Sequence, residues 1–194
     1  THSIQEKEII LTKLYNQIPL KEKYLLSLSN FYFENGRYEE SFNLLQSNQE
    51  KFSKNDKILF LISRNGIKLK KYDIAKSNLI KAIRLDKKNI DYYNALGFVY
   101  SITSDSDRAL AAYQMSIDID KNNSFAHYNM AIEYYNRGKL DKSVKKLIDS
   151  GNSYLMQDRK DKLLMVISTL DAIKKEGIII DDYSYKILKA GFNK

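Results

Sequence analysis

The sequence predicts an all-α fold, an array of short helical hairpins. Three observations point there. Turn formers are scarce, with 7 Gly and a single Pro (Pro19) in 194 residues, fewer than sheet proteins usually need. Apolar residues recur at helical spacing, as in Leu25, Leu28 and Tyr32. The chain also repeats itself with a constant period of 34 residues.

The repeat is clearest in the second half. Tyr93, Leu96, Gly97, Tyr100, Ala109, Tyr113 and Ser116 meet His127, Met130, Ala131, Tyr134, Ser143, Leu147 and Ser150 at the same offset. Stepping back gives Leu59, Ile62, Ser63, Gly66, Ala75, Leu79 and Ala82, then Leu25, Leu28, Ser29, Tyr32, Ser41, Leu45 and Asn48. Four units hold one register: 22–55, 56–89, 90–123 and 124–157. Each divides into two helices, expected at 22–35 and 38–51, 56–69 and 72–85, 90–103 and 106–119, and 124–137 and 140–153. The links are short and polar, and Gly36 and Gly138 suit the left-handed residue that closes a helix. Small residues at Ser29, Ser63, Gly97 and Ala131 allow the two helices of a hairpin to approach closely. No hairpin buries its apolar face alone, so neighbours must stack.

The third unit reads aromatic-x2-Leu-Gly-x2-Tyr and then Ala-x3-aromatic at Tyr93, Leu96, Gly97, Tyr100, Ala109 and Tyr113. This resembles the tetratricopeptide repeat. The resemblance covers residues 22–155, although Ser53, Lys87, Lys121 and Leu155 stand where the family carries Pro. It implies a right-handed superhelical solenoid of four helix-turn-helix repeats, residues 21–157, plus capping helices.

Both ends depart from the pattern. Residues 1–20 contain an amphipathic helix over 4–17, with Ile10, Leu14 and Ile18 in line, broken by Pro19. Residues 158–194 contain a helix over 159–176 and a shorter one over 181–190 with Tyr183 and Ile187, a divergent fifth repeat or a cap. Capping is the first expectation, since terminal repeats must shield the last core face. A helix folded into the groove and an arm joining another subunit are the alternatives. Thr1 is not an initiator Met, so the sequence is expected to be a trimmed or processed piece, and an upstream leader or anchor would not show in it. The compartment is left open.

Composition bounds the chemistry. The absence of Cys excludes disulfides, thiolate metal sites and cysteine nucleophiles. No apolar run approaches the ~20 residues of a membrane span. Net charge is +8, but 32 basic residues are interleaved with 24 acids in short doublets such as Lys70/Lys71 and Lys145/Lys146. That pattern suits a solvated surface better than a nucleic-acid footprint. Of the two His, His127 falls at a core place of the repeat and reads as a packed side chain. No nucleophile, metal or phosphate-loop spacing occurs, so no catalysis, metal, cofactor or small-molecule substrate is expected. The stretch Asp118-Ile-Asp120-Lys-Asn122-Asn123-Ser124 imitates the start of an EF-hand loop. It lacks the Gly and the bidentate Glu, with Asn123 and Asn129 in their places. It reads instead as the joint between repeats, with Asn123 or Ser124 capping the next helix.

The resemblance implies that a concave face, made by the first helix of each hairpin, receives a protein ligand. Its fifth places are Leu26, Phe60, Asn94 and Tyr128, its ninth places Asn30, Arg64, Phe98 and Ile132, and its twelfth places include Phe33, Ile67 and Tyr135. Only Asn30 and Arg64 match the carboxylate clamp of chaperone-binding relatives. The remainder is apolar, and a large exposed apolar patch marks interaction. The expected function is a non-catalytic scaffold or adaptor that takes a peptide or an amphipathic helix. Phe60, Phe98, Tyr128 and Tyr135 are its anchors, and Asn30 and Asn94 hold the backbone. The alternatives are a self-assembling module, joined through the groove or the terminal helices, and a basic nucleic-acid-binding solenoid.

Overall fold

A computed structural model describes residues 2–18 and 21–192. Among these there are eleven helices: α1 (His2–Gln17), α2 (Glu22–Glu34), α3 (Tyr38–Gln46), α4 (Asp56–Lys68), α5 (Tyr72–Leu85), α6 (Ile90–Ile102), α7 (Ser106–Ile119), α8 (Ser124–Asn136), α9 (Leu140–Met156), α10 (Lys160–Lys175) and α11 (Asp182–Phe192). The chain forms two compact units that divide inside α6, one ending at Ala95 and the other beginning at Leu96. The sequence places α2 to α9 within a few residues of these bounds. Pro19 lies outside the described residues.

One turn recurs at the repeat period. Gly36, Lys70, Ser104 and Gly138 all have positive φ, between 59° and 76°. At each, the next amide reaches back to close a Schellman-type turn: Arg37 to Tyr32 O at 2.8 Å, Lys71 to Gly66 O at 2.7 Å, Asp105 to Tyr100 O at 2.9 Å and Lys139 to Tyr134 O at 2.9 Å. Two of the four are not Gly, so composition alone hides them. The joints between repeats recur as well. Asn55, Asn89 and Asn123 accept backbone N–H groups of Ile58, Asp91 and Ala126 at 2.9, 3.1 and 3.1 Å. Asp86 and Asp120 accept those of Lys88 and Asn122 at 3.0 Å each. The calcium-like stretch is therefore a capping device, and Asp118 accepts from Gln114 at 2.8 Å instead of pointing at a shared centre.

In the first unit the core gathers Leu25, Phe42, Leu45, Ile58, Leu61 and Ile62 from α2, α3 and α4. Fully burying each such side chain contributes about 1.5–3 kcal/mol. Ser41 ties the first hairpin together by donating to Ser29 O at 2.8 Å and accepting from Asn65 at 2.9 Å. Helix α3 stops at Gln46, short of the expected 51. Ser47 and Asn48 side chains both take Leu44 O, at 3.0 and 2.8 Å, offering the backbone a local alternative to the helix. Helix α1 packs on α2 and is tied by Glu8 to Arg37 at 2.7 Å and by Tyr15 to Asn48 at 2.9 Å. The expected stripe of Ile10, Leu14 and Ile18 is not its packing face, because Ile10 and Ile18 are exposed. The half-buried residues Glu8, Leu11 and Tyr15, three and four places apart, serve instead.

In the second unit Tyr113 is fully buried against Gly97, where a Cβ would lie 2.6 Å from the ring. No side chain fits there. In register, the other units pair a larger small residue with Leu: Ser29 with Leu45, Ser63 with Leu79, and Ala131 with Leu147. A second core gathers Ala131 from α8, Val144 and Leu147 from α9, Leu163, Val166 and Leu170 from α10, and Leu188 from α11. His127 is buried and donates from Nε2 to Lys121 O at 3.0 Å, the packed role its register suggests. Past residue 157 the register breaks. Gln157 replaces the capping Asn, and Asp158 (φ 52°) with Arg159 repeats the hairpin turn, so α10 folds back directly on α9. In α11, Tyr183 and Ile187 are exposed while Tyr185 and Leu188 are buried, the reverse of the expected stripe. The chain turns at Gly177 (φ 86°), and Ile180 is buried just before α11.

Candidate peptide-binding face

The eleven predicted residues all lie on first helices, and none of them is buried. The residues one register place away behave oppositely: Ser29, Ser63 and Ala131 are fully buried. Helical geometry produces this split, since positions four apart share a face.

In the first unit, Leu26, Asn30 and Phe33 come from α2, Phe60, Arg64 and Ile67 from α4, and Asn94 from the start of α6. Arg64 is stacked on Phe33, its guanidinium carbon 4.2 Å from the ring centroid and 5.9 Å from that of Phe60. Phe33 meets Tyr38 edge-on at 5.2 Å, and Lys68 lies 5.8 Å over Tyr38. Phe60 packs on Tyr92 at 4.8 Å. The Tyr92 hydroxyl donates to Asp56 at 2.6 Å, and burial together with that carboxylate pushes its pKa well above the phenol range. Phe33, Tyr38, Arg64, Ile67, Lys68 and Glu34 line a cleft of about 400 Å³. Phe60 therefore rests on Tyr92, Phe33 is covered by Arg64, and Leu26 and Phe33 pack against the core below.

In the second unit, Phe98 is 36% exposed; Ile102, one helical turn further along α6, and Phe125 on α8 are exposed too. Tyr128 and Tyr135 rest partly on the core, and α10 and the residue that caps it engage their hydroxyls. Tyr128 lies 3.4 Å from Thr169 Oγ1, and Tyr135 donates to the Glu176 carboxylate at 2.8 Å. That hydrogen bond holds the Tyr135 hydroxyl above its ordinary pKa. Ile132 and Tyr135 share a cleft of about 440 Å³ with Met165, Thr169, Ala172 and Ile173. The residues from α10 escape sequence reasoning because the repeat pattern is lost beyond 157. The signal available was the apolar run Leu163–Ile167, read as a further first helix. Behind the face, Glu133 is buried and accepts from Ser101 and from Ser106, the latter at 2.6 Å. Among the described residues no three His, Asp or Glu converge as a metal site would require. No helix there is long and apolar enough to cross a membrane.

An all-helical array of 34-residue hairpins with caps at the same places is built from tetratricopeptide-type repeats, and comparison with known families agrees. The profile of the anaphase-promoting complex (cyclosome) subunit 3 family matches residues 1–82, and that of a tetratricopeptide repeat family matches residues 90–123. No curated protein sequence matches. Among solved structures, a crystal structure of MamA is 21% identical with a TM-score of 0.72, covering 77% of this chain and 87% of its own. MamA from Desulfovibrio magneticus RS-1 is 14% identical with a TM-score of 0.74, covering 80% and 88%. MamA of AMB-1 is 18% identical with a TM-score of 0.70, covering 78% and 90%. At these identities the likeness establishes the fold.

Proposed function

We propose that this chain is a non-catalytic protein-interaction scaffold that receives a peptide or an amphipathic helix on the faces of its first helices. The observation that carries this reading is the solvent access of all eleven face residues, mostly aromatic or aliphatic, beside register neighbours that are fully buried. Apolar groups kept in water across successive repeats are costly unless a partner covers them. Phe98 is the most exposed aromatic of the set, and aromatic anchors carry much of the energy at such surfaces. Replacing Phe98 and Tyr128 with Ala should abolish partner capture while the far-ultraviolet circular dichroism stays helical. Undiminished capture by the folded double variant would end the proposal.

A second reading, self-assembly through terminal helices, has its own support. Ile9 and Ile10 on α1 are 66% and 58% exposed, and Ile179 and Tyr183 near the C-terminal end are 93% and 75% exposed. Light scattering across a concentration series separates the two, because a strict monomer removes the second.

A further inference from the structure

The positive charge of the chain is concentrated in one stretch. Residues 68–88 hold eight Lys or Arg against two Asp, so +6 of the net +8 falls within 21 residues. Both acids are engaged: Asp73 pairs with Lys76 at 3.0 Å, and Asp86 accepts the backbone N–H of Lys88 at 3.0 Å. Folding gathers half of the cations at one place. Lys81 and Arg84 project from the exposed side of α5, and Lys87 and Lys88 follow in the joint after it. All four are exposed, and Leu85, one turn after Lys81 and next to Arg84, is 47% exposed. Lys51 and Lys54, exposed in the joint one repeat earlier, hold the register places of Leu85 and Lys88. That earlier joint is held against α5 by Gln49, which donates to Asn78 at 2.5 Å.

The joint itself does not require these cations. The second unit builds the same joint with the same Asp and Asn caps, and its equivalent places are Met115, Asp118, Ile119, Lys121 and Asn122. A cation near the C-terminal end of a helix complements the helix dipole, yet Asp118 stands where Arg84 does. The cluster is therefore a property of this surface and not of the repeat. From it we infer that the edge of the first unit formed by the end of α5 and the joint beyond docks reversibly on an anionic lipid surface. Lys81, Arg84, Lys87 and Lys88 meet the headgroup phosphates, and Leu85 enters the acyl boundary beside them. Clustered cations attract an anionic leaflet, and an apolar side chain set among them adds contact that headgroups alone do not give. The long basic stems let the charges stay at the headgroups while the leucine descends. Among the described residues no helix is long and apolar enough to cross a membrane, so the contact is peripheral. A nucleic acid fits this patch less well. Single-strand platforms need open ring faces for base stacking, and the nearest rings in sequence, Phe52 and Tyr72, are half-buried. The patch lies on a second helix and its joint, and so it stands independently of the first-helix face.

The test is flotation of the full chain with vesicles of phosphatidylcholine alone and of phosphatidylcholine mixed with phosphatidylglycerol. It compares the parent with Arg84→Gln/Lys87→Gln/Lys88→Gln and with Lys142→Gln/Lys145→Gln/Lys175→Gln, which removes the same charge from exposed places of the second unit. Melting temperature is recorded for each. The parent should float with the anionic vesicles only. The first triple variant should bind about a hundredfold more weakly, severalfold for each cation removed, while the second keeps most of its binding. The chain has no Trp, so Leu85→Trp supplies a single indole with every cation in place. Its emission should shift to the blue with anionic vesicles and not with neutral ones. Absence of flotation by the parent would overturn the lipid contact and leave the peptide-binding face standing. Equal losses in the two triple variants would overturn it as well, since net charge alone would then account for binding. Flotation with no blue shift at Leu85→Trp would remove the leucine contact and with it the proposed mode. Tighter binding of a labelled DNA duplex, lost in the first triple variant, would overturn it in favour of nucleic acid.

Discussion

The two units build the same kind of face from the same repeat and finish it differently. In the first, cations close over the rings: Arg64 on Phe33 and Lys68 on Tyr38. In the second, the predicted face residues carry no charge, and the rings are held at their hydroxyl tips by Thr169 of α10 and by Glu176, the residue that follows it. The repeat dictates where side chains project, and the residue at each place decides what the surface attracts. Below the face the units differ again. The second makes room for Tyr113 by placing Gly97 opposite, whereas the first uses Ser63 in that register with Leu79.

The largest expected effect breaks the comparison at that buried pair. Gly97→Ala must push a Cβ into the Tyr113 ring and should cost about 1–3 kcal/mol in chemical denaturation. Ser63→Ala should be nearly neutral. Adding Tyr113→Leu should recover most of the loss in a double-mutant cycle. Equal costs at both glycine and serine would show that the units do not differ in packing. Capping comes next. Asn55→Ala removes one helix cap and should cost about 1 kcal/mol. Asn123→Ala loses the cap and the bond that Asn123 donates to Ser116, so about 2 kcal/mol is expected. Added calcium should leave the melting temperature of the parent chain unchanged.

The units differ in a way that salt can sharpen. Vesicle binding through Arg84, Lys87 and Lys88 should weaken severalfold between low and high ionic strength, as screening dictates, and flotation across a salt series reads this directly. Binding through Phe98 should hold its affinity over the same range. The smallest effect is a titration. Glu176 raises the pKa of the exposed Tyr135 hydroxyl, so the contribution of that bond is complete below the ordinary phenol range and is lost as pH climbs through the shifted value. Ultraviolet titration should show several tyrosines ionising late, Tyr92 and Tyr135 among them, and Glu176→Gln should return one of them towards the ordinary range.

Much of this fold is legible because its period is. Four units in register fix eight helices, and the family pattern adds the small residues that let them meet. The left-handed turns at Gly36 and Gly138 announce themselves, while those at Lys70 and Ser104 are visible only by counting from them. The end of α3 was not legible, because Ser47 and Asn48 terminate it through their own side chains and not through a breaker. The terminal helices were legible as helices and not as orientations: their packing faces depend on partners outside the repeat rule, such as Arg37 for α1 and α9 for α11. The proposed face residues are an expectation from register position alone. The stacking of Arg64 and the bonds from Thr169 and Glu176 have no such signal, since each joins residues that no local pattern connects.

A photo-crosslinking amino acid placed at Phe98, on the proposed face, and in a second protein at Met115, exposed on the second helix α7, tests the central claim most directly. Discrete protein adducts from position 98 and none from position 115, in lysate of the cells that make the protein, are the expected result. Equal adducts from both positions, or adducts from 115 alone, would contradict the assignment of the first-helix face as the binding surface.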